Sequence, residues 1–511
     1  MSTRPGRERG LGSEDFGSEA KHVLRLISLK KDDFWSRERE RVPLELFQRA
    51  AHRVPAYKDF LKHNKIVPDK IKTFKDFQLV PPVTKKNYLK QYPIEKLCWD
   101  GSLKKPLVWT STSGSTGEPF YFPRGERLDW QASLIHETFL VNGSSAEGPT
   151  LVIVAFGMGV WIGGLITYEA FEMASREAGY EVSILTTGIN KVEIMKALKK
   201  LSPNFKQTIL VGYPPFVKDI VDEAGGNGIN IKKLNLRFIF AAEPFTEKFR
   251  DYIVKKARVK SPYLDTMNIY GTADLGAMAG ETPLTILLRR LAAKNKKLFE
   301  AFFSSINKTP TLAQYNPMFV NFEAVDGDLL ITGESEIPLV RYSIGDHGGV
   351  FSFGEAVAKL KKFKINSKRA IHQAGIDGKT SELPFVYVYE RSDFSTNFYG
   401  IQIYPEMVRD ASIDAYFSKF FTSRFTMLTK FDENQDQYLE INLELRKGAK
   451  SHPYLKRRVL KKIISTLREK SSEFKELSNY LEDRAAPRLI FWPNEHPLYF
   501  RPGIKQTWVK H

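Results

Sequence analysis

A run of small hydroxyl-bearing residues and glycines lies in the first quarter of the chain, as Trp109-Thr-Ser-Thr-Ser-Gly-Ser-Thr-Gly-Glu-Pro119. Because small residues let the backbone curl closely round an anion, successive N–H groups and hydroxyls can donate to phosphate oxygens. Apolar residues flank the run at Leu107–Trp109 and Phe120–Phe122, which predicts a strand on each side. A flexible Ser/Thr/Gly linker has the same composition, but the flanking strands favour a phosphate-binding loop.

This run carries a resemblance to a known family. Thr112-Ser-Gly-Ser-Thr-Gly-Glu-Pro119 closely resembles the phosphate loop of the adenylate-forming superfamily of acyl- and aryl-CoA ligases. The overall pattern is most similar to the phenylacetate-CoA ligase branch, with its coenzyme-synthetase and capsule-biosynthesis relatives. Further short matches follow in the family's order along nearly the whole chain: Arg53–Tyr57, Leu79–Lys85, Ala241–Pro244, Asn268–Gly276, Val340–Asp346, Glu390–Asp393 and Gly400–Pro405. Each match alone is weak evidence for the family, but the occurrence of all of them in the family's order is strong evidence.

The resemblance implies an ATP site built from several of these segments. The residues to which it gives a nucleotide-binding role are Thr112, Ser113, Gly114, Ser115, Thr116, Gly117, Ala242, Glu243, Pro244, Tyr270, Gly271, Thr272, Asp346 and Arg391. Asp346 would bind the ribose, since a carboxylate can accept from both hydroxyls, and Tyr270 would flank the adenine. Arg391 would approach the ribose or a phosphate. From the residues alone, Asp346 fits an ordinary turn equally well, and Tyr270 a core position.

Two further residues receive catalytic roles from the resemblance. Asp274 occupies the position of the family's magnesium-linked Glu, and Mg²⁺ prefers carboxylates together with phosphate oxygens. Lys505 is the candidate for the lysine that reaches the α-phosphate and the carboxylate during adenylation. The sequence also departs from the family pattern: Ala273 lacks the usual hydroxyl, Asp274 is shorter than Glu, and Ile504 separates Lys505 from its glycine. These departures leave a degraded, non-catalytic member open.

Composition limits the classes of protein to consider. The chain has 511 residues, a net charge of +18 and one cysteine, Cys98. That count excludes intrachain disulfides and Cys-rich zinc sites, and it predicts a cytoplasmic protein. A large positive charge attracts anions such as nucleotides and coenzyme A. The clearest basic runs, Lys359–Lys364, Lys456–Lys462 and Arg289–Lys297, have helical spacing, which predicts solvated helix faces and argues against nucleic acid as a partner.

The order of apolar patterns predicts an α/β fold. Between Leu107 and Ile344, short apolar runs alternate with amphipathic stretches, as in doubly wound, mostly parallel sheets. The predicted strands are Leu151–Ala155, Val182–Leu185, Gln207–Val211 and Arg237–Ala241. The predicted helices between them are Leu165–Ala178, Lys191–Leu201, Pro215–Ala224 and Glu247–Ala257. A small, more antiparallel β region follows, with strands at Asp328–Thr332, Pro338–Tyr342 and Val350–Phe353.

Three parts of the chain are predicted from these patterns. Residues 1–18 lack an apolar segment and are rich in Gly, Arg and Ser, which indicates a disordered lead. Residues 19–390 form a large N-terminal domain of several subdomains, with helices before Tyr92. Residues 394–511 form a small α+β lid domain after a hinge at about 391–393, with a long helix at Pro453–Glu476.

The resemblance therefore predicts an ATP-dependent, AMP-forming ligase that activates a carboxylic acid as an acyl-adenylate. Coenzyme A is the expected acceptor of the acyl group, and ATP, Mg²⁺ and coenzyme A are the expected cofactors. An amine, a carrier-protein thiol or a cofactor hydroxyl is an alternative acceptor. A non-catalytic nucleic-acid-binding or scaffold protein of the same fold is the alternative that the charge of +18 suggests. The sequence leaves a homodimer open, does not name the acid and predicts no membrane span.

Overall fold

A computed structural model describes most of the chain. The described residues are 13–104, 107–111, 120–144, 148–159, 162–303, 309–389, 395–405, 407–408, 416–497 and 499–500. Three predicted features lie outside them: the loop Thr112–Gly117, the hinge with Arg391, and the C-terminal segment with Lys505. In the part of the chain that is described, no helix is long and apolar enough to cross a membrane.

The helices and strands are numbered in chain order. The strands are β1 (Val108–Ser111), β2 (Tyr121–Arg124), β3 (Thr150–Ala155), β4 (Val182–Thr186), β5 (Gln207–Gly212), β6 (Leu236–Ala241), β7 (Thr266–Thr272), β8 (Gly276–Gly280), β9 (Thr311–Gln314), β10 (Val320–Val325), β11 (Asp328–Gly333), β12 (Leu339–Phe351), β13 (Phe385–Tyr389), β14 (Thr396–Phe398), β15 (Ile401–Ile403), β16 (Phe421–Phe431), β17 (Gln437–Leu445) and β18 (Arg488–Trp492). The helices are α1 (Ser13–Leu29), α2 (Asp32–Arg53), α3 (Pro55–His63), α4 (Phe74–Phe77), α5 (Ile94–Leu97), α6 (Glu126–Asn142), α7 (Ile162–Ala178), α8 (Lys191–Lys200), α9 (Pro214–Glu223), α10 (Glu247–Ala257), α11 (Pro283–Ala293), α12 (Lys296–Phe302), α13 (Phe353–Lys362), α14 (Ser367–Gln373), α15 (Pro453–Lys470) and α16 (Ser472–Leu481).

A large sheet with helices on its faces confirms the predicted α/β fold. Among the described residues its strand order is β10-β11-β12-β13-β9-β8-β7-β6-β5-β3-β4. Strands β3 to β7 are parallel, and the strands from β8 to β10 continue the same sheet in antiparallel pairs. The predicted strands and helices of the parallel half are all present, with ends within three residues of those predicted. The inner strands β3, β5 and β6 are almost entirely buried and mostly apolar, as in parallel strands that helices cover on both faces.

The antiparallel half departs from the prediction in one strand. Pro338–Tyr342 and Val350–Phe353 were predicted as separate strands, but Leu339–Tyr342 and Val350–Phe351 belong to the single strand β12, and Phe353 begins α13. Gly345 adopts a φ of +86°, which lets the chain bend without ending the strand. Register shifts between β11 and β12 accompany the bend. Such irregularities increase the local twist, so this half of the sheet curls.

The N-terminal residues are helical, as predicted, and pack on the sheet. Helix α1 begins at Ser13, inside the predicted disordered segment 1–18, so that prediction was wrong for Ser13–Ser18. Ala20 and Val23 are one turn apart and are buried against Trp130 and other apolar side chains of α6 and α7. Burial of this face explains why the helix extends so far toward the N-terminus.

The basic run at Arg289–Lys297 was predicted to be a solvated helix face, and this was wrong for Arg289. Helix α11 is largely buried, and Arg289 donates to the buried carboxylate of Glu281 at 2.5 Å. Arg250 of α10 also donates to Glu281, at 2.8 Å, and the backbone N–H of Asn268 donates to it at 2.9 Å. A buried charge needs partners of this kind. By contrast, the basic residues of α15 are exposed, as predicted.

The C-terminal part contains the sheet β16-β17-β18 together with α15 and α16. One long helix was predicted at Pro453–Glu476, but it is broken at Ser471, whose hydroxyl accepts from the N–H of Phe474 and caps α16. The apolar core of this part is continuous with that around α9 and β6. Ion pairs cross the boundary, among them Lys218 with Asp436 at 2.6 Å and Arg484 with Asp219 at 2.5 Å.

The Glu281 cluster gives a testable prediction for stability. Glu281→Gln removes a charge that Arg250 and Arg289 both contact, so the two buried guanidinium groups are left with the single carboxylate of Glu247. We expect the variant to lose about 3–5 kcal/mol of unfolding free energy in urea denaturation. Glu193→Gln is the matched control, because Glu193 forms an exposed pair with Lys196, and its loss stays within about 0.5 kcal/mol. Equal effects of the two changes would contradict the buried network.

Candidate functional site

A cleft with a volume of about 740 Å³ lies beyond the carboxyl ends of the parallel strands. Phe156 follows β3 and Tyr213 follows β5, and their rings meet edge to face at a centroid distance of 4.9 Å. The chain passes from β3 outward to β4 and then returns to β5 on the other side of β3. Open α/β sheets bind ligands in the crevice at such a reversal of strand order. We call this space the central cleft.

Tyr270 and Asp346 meet in the central cleft. The Tyr270 hydroxyl donates to Oδ2 of Asp346 at 2.6 Å, and both residues line the cleft. Tyr270 lies on β7, and Asp346 lies on β12 directly after the bend at Gly345. The predicted residues Gly271 and Thr272 also line the cleft. An anchored carboxylate beside an aromatic ring can accept from hydroxyl groups of a bound ligand.

Asp274 lies at the same end of the cleft and is buried. The hydroxyl of Tyr342 donates to its Oδ2 at 2.6 Å, and the ammonium of Lys85 lies 3.6 Å from its Oδ1. Backbone hydrogen bonds of Val83 with Arg341 and Ser343 fix the segment before Lys85 alongside β12. Asp274 therefore orients a lysine that also lines the cleft.

The contacts of Asp274 bear on its predicted role as a magnesium ligand. Within the described ranges, no three His, Cys, Asp or Glu side chains converge as metal ligands. Asp274 offers one carboxylate, which Tyr342 and Lys85 already engage. Mg²⁺ in nucleotide sites is usually held by one or two carboxylates together with phosphate oxygens of the substrate, and Asp274 can supply one such carboxylate. Its magnesium role stays a prediction.

The predicted Ala242, Glu243 and Pro244 also line the cleft. Ala242 has a φ of +73°, and its carbonyl accepts from Asn397 at 2.8 Å. The Glu243 side chain turns toward the C-terminal part, where Gln437 donates to it at 2.9 Å and the Gly400 N–H also donates. This segment therefore contributes backbone to the cleft, while its carboxylate binds the C-terminal part.

Several predicted site residues lie outside the described part of the chain. They are Thr112, Ser113, Gly114, Ser115, Thr116, Gly117, Arg391 and Lys505. The strands on either side of the Ser/Thr/Gly run, β1 and β2, form an antiparallel hairpin as the flanking apolar residues predicted. Ser111 and Phe120, which are the described residues nearest to the run, both line the central cleft. The nucleotide-binding roles of the run itself remain predictions.

Sequence reasoning assigned no role to Tyr342, which binds Asp274, or to Lys85, Glu473 and His136, which line the cleft. Tyr342 and Lys85 lie within two of the segments that resemble the family, Val340–Asp346 and Leu79–Lys85, so a sequence signal for them exists. Glu473 of α16 also lines the cleft, and burial together with the nearby Glu476 raises its pKa to about 7. His136 of α6 lines the cleft from the other side, and no local sequence signal indicates it.

Comparison with known proteins gives the fold. No protein-family model and no curated protein matches the sequence. A 2-hydroxyisobutyryl-CoA ligase, solved with 2-HIB-AMP and CoA in the thioesterification state, matches with a TM-score of 0.60 and 14% identity, covering 95% of this chain and 91% of that one. The amide bond synthetase McbA from Marinactinospora thermotolerans gives 0.42 and 12%, covering 75% and 65%. An acyl acid amido synthetase in complex with 2,4-DB gives 0.45 and 12%, covering 98% and 95%.

The match to the 2-hydroxyisobutyryl-CoA ligase extends over nearly all of both chains, so it includes the large sheet and the C-terminal part together. At 14% identity this likeness establishes the fold and leaves substrate and acceptor open. The chain has the α/β fold of this 2-hydroxyisobutyryl-CoA ligase.

Proposed function

We propose that the protein is an ATP-dependent, AMP-forming ligase that activates a carboxylic acid and passes the acyl group to coenzyme A. The observation that carries the proposal is the hydrogen bond between Tyr270 and Asp346 in the central cleft. The two residues come from motifs that resemble the adenine and ribose segments of one family. Their contact and the fold support the proposal independently of each other.

In the first step an oxygen of the substrate carboxylate attacks the α-phosphorus of ATP. A P–O bond to the carboxylate forms, the bond to the bridging oxygen breaks, and pyrophosphate leaves. Two anions must approach each other, so cations and N–H donors that offset their repulsion lower the barrier. Lys85, held by Asp274, supplies one cation in the cleft. Lys505 and the run Thr112–Gly117 are proposed to supply the others.

In the second step the thiol of coenzyme A attacks the acyl carbon, a thioester forms, and AMP leaves. The acceptor must reach the acyl-adenylate from outside, and residues of the C-terminal part, including Asn397, Gly400 and Glu473, line the cleft. We propose that residues 394–511 form a lid that rotates about Asp393 between the two steps. Motions of this kind can limit turnover. The phenylacetate-CoA ligase branch remains the proposed relationship.

The function is tested by pyrophosphate release from ATP with a panel of carboxylic acids, measured with and without coenzyme A. We expect exchange of labelled pyrophosphate into ATP to require an acid but no acceptor, because adenylation comes first. Addition of coenzyme A then yields acyl-CoA and AMP, identified by mass spectrometry. An adenylate that ignores coenzyme A and reacts with amines favours the alternative acceptor. Absence of ATP turnover with every acid rules out the proposal.

Asp346→Asn tests the nucleotide role of the cleft. The amide keeps the size of the side chain but loses the anionic oxygens that accept from Tyr270 and, in the proposal, from the ribose. We expect kcat/KM for ATP in pyrophosphate exchange to fall about 10- to 100-fold, mostly through KM. Asp377→Asn is the matched control, because Asp377 is exposed and forms only a surface pair with His372. An unchanged KM for ATP in Asp346→Asn contradicts the proposed role.

Lys505→Ala tests whether Lys505 acts in the adenylation step alone. A cation that stabilises charge only during adenylation affects that step alone. We expect pyrophosphate exchange to fall about 100- to 1,000-fold, while the variant still converts supplied acyl-adenylate and coenzyme A to acyl-CoA at a near wild-type rate. Lys510→Ala, in the same C-terminal segment, is the control and keeps both activities. Equal loss of both half-reactions would argue against a role confined to adenylation.

A further inference from the structure

A buried histidine lines the central cleft. His136, on α6, is 1% exposed. Its Nδ1 lies 2.8 Å from the carbonyl oxygen of Ala132, one turn earlier in the same helix. Its Nε2 is buried and has no hydrogen-bond partner among the residues that the structure describes. A buried polar atom without a partner is costly, so its position beside the cleft needs an explanation.

The hydrogen bond to Ala132 fixes the tautomer of this ring. A carbonyl oxygen only accepts, so Nδ1 must carry the proton that it donates. Burial lowers the pKa of His136 to about 4, and the imidazole is neutral at physiological pH. Nε2 therefore carries a lone pair and acts only as an acceptor. Because Nδ1 turns toward the backbone of α6, Nε2 on the far side of the ring points away from it.

The walls around this end of the cleft are apolar. Phe156, Ile162 and Ile166 line it together with His136, and the ring of Phe171 packs edge to face on the imidazole at 4.9 Å. Thr167 also lines the cleft, and its hydroxyl donates to Gly163 O at 2.7 Å within its own helix. The Nε2 of His136 has no such partner among the described residues.

We infer that His136 selects carboxylic acids that carry a neutral O–H or N–H donor at the end remote from the carboxylate. The inference rests on the proposed function, because it assigns the α6–α7 end of the cleft to the acyl group and the Tyr270–Asp346 end to the nucleotide. A site that hydrogen-bonds a substrate hydroxyl rejects the analogue that lacks it, because the buried acceptor is then left unpaired. An ammonium group is disfavoured, since a neutral imidazole in apolar surroundings does not offset its desolvation.

Matched acids test the inference in pyrophosphate exchange. The probes are phenylacetate, 3- and 4-hydroxyphenylacetate and the corresponding methoxyphenylacetates, together with octanoate and 8-hydroxyoctanoate. We expect a hydroxy acid to exceed both its parent and its methoxy analogue at least about tenfold in kcat/KM. The methoxy compound has a similar polar oxygen but no donor, so it separates donation from polarity. A wild-type protein that prefers the parent or the methoxy acid overturns the inference without any variant.

His136→Phe removes the acceptor and keeps an aromatic ring of similar size. We expect the hydroxy-acid preference to fall to within about threefold, while activity on the parent acid persists and reports a folded protein. Thr138→Val is the matched control, because Thr138 lies on α6 outside the lining of the central cleft and its hydroxyl already donates to Leu134 O at 2.7 Å, so the preference stays as in the wild type. A preference that survives His136→Phe overturns the inference and leaves the ligase function intact. Absence of exchange with every acid overturns both, whereas exchange without discrimination overturns only this inference.

Discussion

The curl of the large sheet is the constraint on which the central cleft depends. Strands β7 and β12 are separated in the sheet by β8, β9 and β13. In a flat sheet they would lie roughly 19 Å apart, since neighbouring strands are about 4.8 Å apart. Yet Tyr270 on β7 donates to Asp346 on β12 at 2.6 Å. The antiparallel half must therefore fold back toward the parallel half, and the bend at Gly345 and the register shifts between β11 and β12 accompany that return.

The same curl brings together charged and polar side chains that would lie far apart in a flat sheet. Asp274 follows β7, and its partner Tyr342 lies on β12, so their hydrogen bond repeats the contact of Tyr270 with Asp346 a few residues away. Two tyrosine–aspartate bonds between the same strand regions fix the spacing of the cleft walls. Lys85 reaches Asp274 from the N-terminal segment. That segment is held against β12 by the pairing of Val83 with Tyr342. The proposed anion-binding end of the cleft is thus built from three distant parts of the chain.

The local elements could be predicted because their signals are local. The buried run Gln207–Gly212 can be recognised as a strand from its length. The amphipathic stretch Glu247–Ala257 can be recognised as a helix from the spacing of its apolar residues. The long-range features could not be predicted in this way. The burial of Arg289 depends on Glu281, and the role of Lys85 depends on Asp274. Tyr270 and Asp346 were found through motif resemblance, whereas His136 has no motif and becomes notable only once its unpartnered nitrogen is placed beside the cleft.

Residues 242–244 belong to the wall of the cleft and also contact the C-terminal part. Ala242 and Pro244 line the cleft, while the Glu243 carboxylate between them accepts from Gln437 and from the N–H of Gly400. Gly400 has a φ of +80°, and a side chain there would collide with Tyr213, which also lines the cleft. Any displacement of residues 242–244 therefore involves both the wall of the cleft and the anchoring of the C-terminal part, because the same short segment serves both.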